Sequence, residues 1–270
     1  MSAIRQWRKV AIKGKDPEGV HQLRVSLRKM RSALTIFSPV INPTYRKYWR
    51  RELKAMSKQL DAARDLDVFM LTHFQSKNSD SDLHHALKKQ QSRIYNQLSE
   101  SLRGKFKQRH RQLKKALKQS RWPQQHCRQH SLSLSSLAQQ QLNWLYQNVC
   151  QKAQGLDLND EAALHQLRIA FKQLRYGCEF LAPVLDKTQS PVFMNMVKAL
   201  QDQLGEIHDA AVQQEMLAVL PLAAHDELQE IVNQSQRNSQ RLKKTLTKQL
   251  KRFNSITVPW QQLNLASESV

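Results

Sequence analysis

Residues that interrupt helices are scarce in this sequence. The 270 residues include only 6 Gly and 8 Pro, and runs in which Val or Ile alternates with polar residues, as in strands, are nearly absent. Leu, Gln, Lys, Arg and Ala dominate instead, and all five favour helices. We therefore predict an all-α protein, long enough to bury a substantial core as one large domain or two smaller ones.

Cysteines and long apolar segments are scarce as well. The three cysteines, Cys127, Cys150 and Cys178, are too widely spaced for a disulfide framework or a metal knuckle. No apolar run reaches the roughly 18 residues of a membrane span, and the N-terminus lacks the hydrophobic core of a signal peptide. We expect a cytoplasmic protein in a reducing compartment, with no membrane partner.

Acidic residues are scarce in the first half of the chain only. Through Gln129 the sequence has 30 Lys+Arg against 9 Asp+Glu, whereas the remainder has 13 of each. The first half therefore carries the whole formal net charge of +21. This asymmetry predicts a polyanionic partner that meets the N-terminal half most strongly.

One twelve-residue pattern occurs twice, at 20–31 and again 144 residues later at 164–175. In a helix its basic positions, i, i+3, i+7 and i+10, fall within an arc of roughly 80°, directly beside an apolar stripe. Such a helix can bury one face and display a row of cations, which suits a ligand with regularly spaced negative charges. The basic residues are His21, Arg24, Arg28 and Arg31 in the first copy and His165, Arg168, Lys172 and Arg175 in the second.

Other landmarks keep the same offset of 144 residues. A helix start at Asp16 matches one at Asp160, and a stop at Pro39 matches one at Pro183. The segment 60–68, with Arg64 and Asp65, matches 204–212, with His208 and Asp209. On the helix leading to this segment, Arg50, Lys54 and Arg64 share an arc of roughly 100° with Lys47. Lys198 stands in the second copy where Lys54 stands in the first.

The periodicity predicts four helices in each half of the chain. They fall at about 2–14, 17–38, 44–73 and 83–120, and then at about 132–154, 161–182, 190–219 and 224–253. We therefore expect a first four-helix repeat at 1–121, a linker at 122–131, a second four-helix repeat at 132–257 and an irregular tail at 258–270.

These paired motifs resemble the CHAD domain, the conserved histidine α-helical domain. The resemblance rests on a doubled His-Gln-Leu-Arg-x-x-x-(Arg/Lys)-x-x-Arg helix that is followed by Leu-x-x-x-(Arg/His)-Asp-x-x-Val, and it covers nearly the whole chain. It implies two four-helix bundles related by pseudo-two-fold symmetry. It also implies a basic groove or pore between them that binds inorganic polyphosphate.

Carried over position by position, the resemblance implies polyphosphate-binding residues in both halves. They are His21, Arg24, Arg28, Arg31, Lys54 and Arg64, and then His165, Arg168, Lys172, Arg175, Lys198 and His208; helical phase adds Arg50. Lys172 replaces Arg28 and His208 replaces Arg64, so the second half has fewer bidentate donors. Some similar proteins are fused to a triphosphatase with a Glu-x-Glu-x-Lys motif. That motif is missing here, so we expect a stand-alone binding module.

Two roles for the conspicuous histidines and aspartates stay open on the sequence alone. The motif histidines could bind ligand or brace a neighbouring helix. Asp65 and Asp209 could act as catalytic acids, although orienting nearby arginines is the simpler role. We find no catalytic constellation and no metal-ligand spacing such as His-x-x-x-His. We therefore expect a non-enzymatic protein without cofactor or metal; a hydrolase would need an acidic cluster for Mg²⁺.

The basic run from Arg103 to Arg121 holds nine cations in nineteen positions with no acid. It could be a solvated helix end, or a surface that steers long polyanions towards the groove. Non-specific nucleic-acid binding by the basic half is the alternative function. Phe106 is the single Phe, Trp or Tyr of the run. Proteins that bind single strands instead interleave several stacking rings with their cations. Polyphosphate is therefore the favoured partner, with association to polyphosphate granules, and the oligomeric state is left open.

Overall fold

The computed structural model describes residues 1–73, 82–119, 133–217 and 225–261. These residues form an all-α protein, as predicted, with no β-strand among them. The chain divides into two compact units, residues 1–130 and 131–270. No helix in the described ranges is long and apolar enough to cross a membrane. The linker predicted at 122–131 lies outside these ranges, as does Arg121 at the end of the basic run.

The first unit is built around its motif helix, α2. This helix packs against α1, α3 and α4, and α5 packs in turn on α1 and α4. The described helices of the unit are α1 (Ser2–Lys13), α2 (Pro17–Ile36), α3 (Pro43–Lys58), α4 (Asp61–His73), α5 (Asp82–Arg103) and α6 (Lys105–Lys118).

The second unit has a simpler order of long helices. Its motif helix, α8, packs between α7 and α9, and α10 packs on α9. The described helices are α7 (Leu134–Ala153), α8 (Glu161–Leu181), α9 (Gln189–Leu217) and α10 (His225–Asn254).

Both motif helices begin and end where the sequence predicts. The Asp16 carboxylate accepts a hydrogen bond from the Glu18 amide at 2.8 Å, and the Asp160 carboxylate accepts one from the Ala163 amide at 2.9 Å. These caps satisfy amides that have no partner within the helix. A short 3-10 turn follows each helix, Ser38–Val40 in the first unit and Ala182–Val184 in the second.

Two helices predicted as continuous in the first unit are each broken into two. The helix predicted at 44–73 is interrupted at Gln59 and Leu60, where the Leu60 amide donates to the Ser57 carbonyl, three residues back, instead of four. Neither glycine nor proline marks this break. The stretch predicted at 83–120 is interrupted at Gly104, whose backbone leaves the helical region at φ −93° and ψ −108°. Glycine is a poor helix former, so this break had a signal in the sequence.

The apolar stripe of α2 forms the centre of the first core. Val20, Leu23 and Leu27 are fully buried, in one cluster with Trp49 and Leu53 of α3. Helix α1 crosses close to the start of α2, where a Cβ on Gly19 would lie 2.7 Å from the amide nitrogen of Ala11 on α1. Glycine is needed here because any side chain would push the two helices apart.

An aromatic cluster dominates the second core and includes a residue beyond α10. Trp260 is fully buried against Tyr146 and Phe193, and its indole Nε1 donates to the Asn143 carboxamide at 2.7 Å. The Asp186 amide also donates to the Pro259 carbonyl at 3.1 Å. The described start of the segment predicted as an irregular tail has no α-helix, yet it packs as part of the unit. Residues 262–270 of that tail lie outside the described ranges.

We expect that replacing Trp260 by alanine lowers the free energy of unfolding by about 3–5 kcal/mol, because the buried ring leaves a cavity. Trp260→Phe should cost less, since it keeps an aromatic ring and loses the bond to Asn143. Urea unfolding followed by circular dichroism measures both effects. Trp144→Ala is the matched control, because that ring is 49% exposed. Equal effects of the two alanine variants would contradict the assigned packing.

Candidate functional site

Arg24, the first of the three motif arginines in the first unit, is held by two carboxylates of α4. Arg24 on α2 is 18% exposed, and its Nη2 lies 3.0 Å from Asp61 Oδ1. Its Nη1 lies 3.5 Å from Asp65 Oδ1. Both aspartates come from the first turns of α4, so the guanidinium ties the motif helix to the following segment. Asp65 thus takes the bracing role that the sequence suggested.

The other motif cations of the first unit lie close to further positive charge. Burial lowers the pKa of Arg31 below its ordinary value, and Arg50 and Arg28 lower it further, while Asp61 opposes them. Burial also lowers the pKa of His21. The next largest cause is the charge of Arg64; Glu18 opposes it, and Arg28 and Arg24 add to it. The fold therefore brings these predicted site residues into one positive field that favours an anion.

In the first unit the exposed members of the predicted set lie on α3. Arg50 and Lys54 are both exposed, whereas Arg64 on α4 is half-buried. Arg50 acts on Arg31, and Arg64 acts on His21, so each joins the motif cations electrostatically. No described contact links the Lys54 side chain to them.

The second unit repeats the ion pair of the motif arginine at the same offset. Arg168 Nη2 lies 3.7 Å from Asp209 Oδ1, as Arg24 pairs with Asp65. Gly205 occupies the position of Asp61, and a Cβ there would lie 3.9 Å from Arg168 Nε. The Arg24–Asp61 ion pair of the first unit therefore has no counterpart at position 205 in the second.

The two histidines of the second unit are in contact. His165 Nδ1 on α8 lies 3.4 Å from His208 Nδ1 on α9, and their ring centroids are 4.5 Å apart. Burial and the charge of Arg168 lower the pKa of His208 to about 4, with His165 and Lys172 adding to the effect. Burial, Arg168 and Lys172 likewise lower the pKa of His165. At neutral pH one uncharged ring can donate to the other, so His165 braces α8 against α9.

Arg175 and Lys198 are placed apart from this histidine pair. Arg175 Nε lies 3.6 Å from Glu179 Oε1 one turn along its own helix, and its guanidinium lies 5.0 Å from the Tyr176 ring centroid. Lys198 is exposed on α9. Neither has a described contact with His165 or His208, so the second unit gathers fewer of its predicted site residues than the first.

A cleft in the second unit adds basic residues that sequence reasoning missed. It has a volume of about 1090 Å³, and His165 and His208 line it opposite α10. From α10 it receives Arg237, Arg241, Lys243 and Lys244. The signal that could have found them is the spacing i, i+4 and i+7 of three of these cations, which puts them on one helical face. Within the described residues, no group of His, Cys, Asp or Glu is arranged to hold a metal ion.

The histidine pair predicts how stability depends on pH. The pKa of folded His208, about 4, lies below the ordinary value of 6.5. The unfolded chain therefore takes up this proton first, and the free energy of unfolding should fall as the pH drops from about 6.5 to about 4. NMR titration of the imidazole signals, together with urea midpoints across this range, checks both statements. His208→Gln should flatten the dependence; a His208 that titrates near 6.5 would contradict the burial of this ring.

Comparisons with known proteins bear on the fold that carries these residues. The family model of the CHAD domain matches residues 1–218. The crystal structure of the CHAD domain from the plant Ricinus communis aligns with a TM-score of 0.68 at 20% identity, covering 99% of this chain and 87% of that one. PptA from Streptomyces chartreusis aligns with a TM-score of 0.61 at 14% identity, covering 92% of this chain and 96% of that one.

At these identities the two structures show a shared fold and nothing finer. No curated protein matches the sequence. The family model, however, covers most of the chain and includes both motif helices, α2 and α8. The chain belongs to the CHAD domain family.

Proposed function

We propose that this protein binds inorganic polyphosphate through the cations of its two motif helices and acts as a binding module, not an enzyme. Related proteins of the CHAD family bind polyphosphate. The observation that carries the proposal is the positive field around α2. Burial is the largest cause of the lowered pKa of Arg31 and of His21, and the charges of Arg50 and Arg28 on Arg31, and of Arg64 on His21, lower each pKa further. A polyanion would relieve this repulsion between like charges.

The chemistry of the side chains fits a linear chain of phosphates. Successive basic positions on the motif helix are about one helical turn apart, or roughly 5.4 Å. Guanidinium groups bind phosphate oxygens with paired hydrogen bonds, and neutralising several phosphates releases condensed counterions. We therefore expect affinity to fall as salt rises.

The ion pairs of Arg24 and Arg168 give these two arginines a positioning role. Asp61 and Asp65 hold the Arg24 guanidinium, and Asp209 holds that of Arg168. A braced guanidinium keeps its remaining donors in a fixed direction, which lowers the entropy lost on binding. Arg28 and Arg31 are then the better positions for testing ligand contact, because Arg31 forms no ion pair with a carboxylate of the described residues and Arg28 adds to the positive charge around it.

The proposal extends to one groove lined by both repeats, as resemblance to the family implies, and to association with polyphosphate granules in the cytoplasm. Affinity that rises with polyphosphate length until the groove is filled would support the shared groove. A plateau at the length of one helix face would contradict it.

Competition separates polyphosphate binding from non-specific nucleic-acid binding. Labelled long-chain polyphosphate is bound to the protein at physiological salt and challenged with unlabelled polyphosphate or with duplex DNA. We expect DNA to compete far less well on a per-phosphate basis. The cations on α2 can contact phosphates, but this row includes no side chains that would recognise base edges. Equal competition would remove the support for polyphosphate and favour the nucleic-acid alternative.

Paired substitutions test whether the first unit dominates capture. We expect Arg28→Gln with Arg31→Gln to weaken polyphosphate binding more than Lys172→Gln with Arg175→Gln, because Arg175 already pairs with Glu179. Fluorescence titration with long-chain polyphosphate measures both. Lys9→Gln with Lys13→Gln is the control, since it removes the same charge at exposed positions of α1. Equal losses from both motif variants would contradict dominance by the first unit, and circular dichroism verifies folding.

A further inference from the structure

The cleft of the second unit is bounded by three helices and is markedly basic. Its cationic side chains, Arg237, Arg241, Lys243 and Lys244, come from α10, and among the described residues that line it Glu161 at the start of α8 is the one acid. Its volume of about 1090 Å³ is at the upper end of small-molecule sites. None of the four cations forms an ion pair with a carboxylate of the described residues.

The equivalent region of the first unit can be identified through a shared hydrogen bond. Ser101 on α5 donates its hydroxyl to the Gln59 side chain at 2.7 Å. Exactly 144 residues later, Gln203 donates to the Thr245 hydroxyl on α10 at 2.8 Å. The offset of the motif helices therefore also relates α5 to α10, and positions on these two helices can be compared directly.

In the first unit a buried hydrogen-bond network fills the space between α4 and α5. Asp67 on α4 is 1% exposed. Tyr95 on α5 donates its hydroxyl to Asp67 Oδ2 at 2.7 Å, and the Gln91 amide donates to Oδ1 at 2.9 Å. The carboxylate thus has a partner on each oxygen, and the Tyr95 ring occupies the region between the helices.

The second unit has none of the three side chains of this network at the equivalent positions. Ala211 stands in place of Asp67, Ser239 in place of Tyr95 and Ser235 in place of Gln91. Ala211 and Ser239 both line the cleft. The cleft therefore lies where small residues replace the hydrogen-bond network that Asp67, Tyr95 and Gln91 form in the first unit. Charge has changed as well, because Arg241 stands in place of Gln97 and Lys244 in place of Glu100.

We propose that this cleft binds the terminal phosphates of a polyphosphate chain or a short oligophosphate. This inference rests on the proposed function and extends the site around His165 and His208 to cations of α10 that the sequence did not predict. A terminal phosphate carries up to two negative charges near pH 7, more than an internal one, and so matches the concentration of cations on α10.

The histidine pair forms the wall opposite α10 and supplies polar groups to the bound phosphate. His165 and His208 are held 3.4 Å apart, so neither ring needs to move far to offer a nitrogen to the cleft. The charges of Arg168 and Lys172 act on both rings. An incoming phosphate would offset those charges and favour protonation of the pair.

A steric substitution tests the pocket without changing charge. Tripolyphosphate and long-chain polyphosphate are each titrated against the intact chain by calorimetry. Ser239→Tyr restores the ring found in the first unit and should weaken tripolyphosphate binding by about tenfold or more, the loss of one charge-assisted hydrogen bond. Ser239→Ala removes the hydroxyl but keeps the space, so it should weaken tripolyphosphate binding less than Ser239→Tyr does. Equal binding by both variants would overturn the pocket.

Charge removal provides a second test if the tyrosine variant does not fold. Arg237→Gln with Arg241→Gln should weaken tripolyphosphate binding by at least about tenfold. Lys248→Gln with Arg252→Gln is the matched control, because both residues are exposed on the same helix outside the cleft. Equal losses would show that the net charge of α10 matters and the pocket does not, which would overturn the proposal.

The two ligands keep this inference distinguishable from the proposed function. If the parent protein binds long-chain polyphosphate but not tripolyphosphate, the pocket is wrong and the proposed function stands. If it binds neither, the proposed function fails first. ATP serves as a further probe. If the protein binds ATP more weakly than tripolyphosphate, the result supports a site for inorganic phosphate chains. Stronger binding of ATP would reassign the cleft to a nucleotide and overturn the proposal.

Discussion

The pairing of the motif arginine with the aspartates of the following helix is the interaction on which the candidate site depends. In the first unit Arg24 joins α2 to α4 through Asp61 and Asp65, and in the second Arg168 joins α8 to α9 through Asp209. A half-buried guanidinium needs such partners, because burying a charge without them is costly. Once the two helices are joined, the remaining cations of the motif stay close together and cannot spread apart to reduce their repulsion. That repulsion is the physical basis of the polyanion binding that we propose.

The two units repeat this arrangement with different balances of charge. Where the first unit has Arg64 and Arg50, the second has His208 and Met194, and where the first has Thr35 the second has Glu179. Among the predicted site residues, the first unit therefore offers more cations that bear a charge at neutral pH. Gly205 works in the opposite direction, because it replaces the acidic counterpart of Asp61 by an uncharged residue. The asymmetry of the sequence thus persists close to the motif helices and is not confined to the basic run.

The differences between the units extend to how each fills the space beside its motif helix. In the first unit Asp67, Tyr95 and Gln91 close the region between α4 and α5 with a satisfied polar network. In the second unit small residues leave a basic cleft. A buried carboxylate is stable only while its hydrogen-bond partners are present, so loss of Tyr95 and Gln91 equivalents goes together with loss of the acid. The same fold can therefore hold a rigid packed wall in one repeat and an open pocket in the other.

The sequence alone determined the helical class, the starts and ends of α2 and α8, and the face on which the motif cations lie. These features depend on caps such as Asp16 and Asp160 and on apolar periodicity, which involve residues a few positions apart. Tertiary structure decided the break at Gln59 and Leu60, the burial of Trp260, the contact between His165 and His208, and the cleft beside α10. Each of these depends on residues that are distant along the chain, such as the 43 positions between the two histidines. No local sequence pattern encodes which distant side chain fills a given space. The packing of the helices against one another determines it.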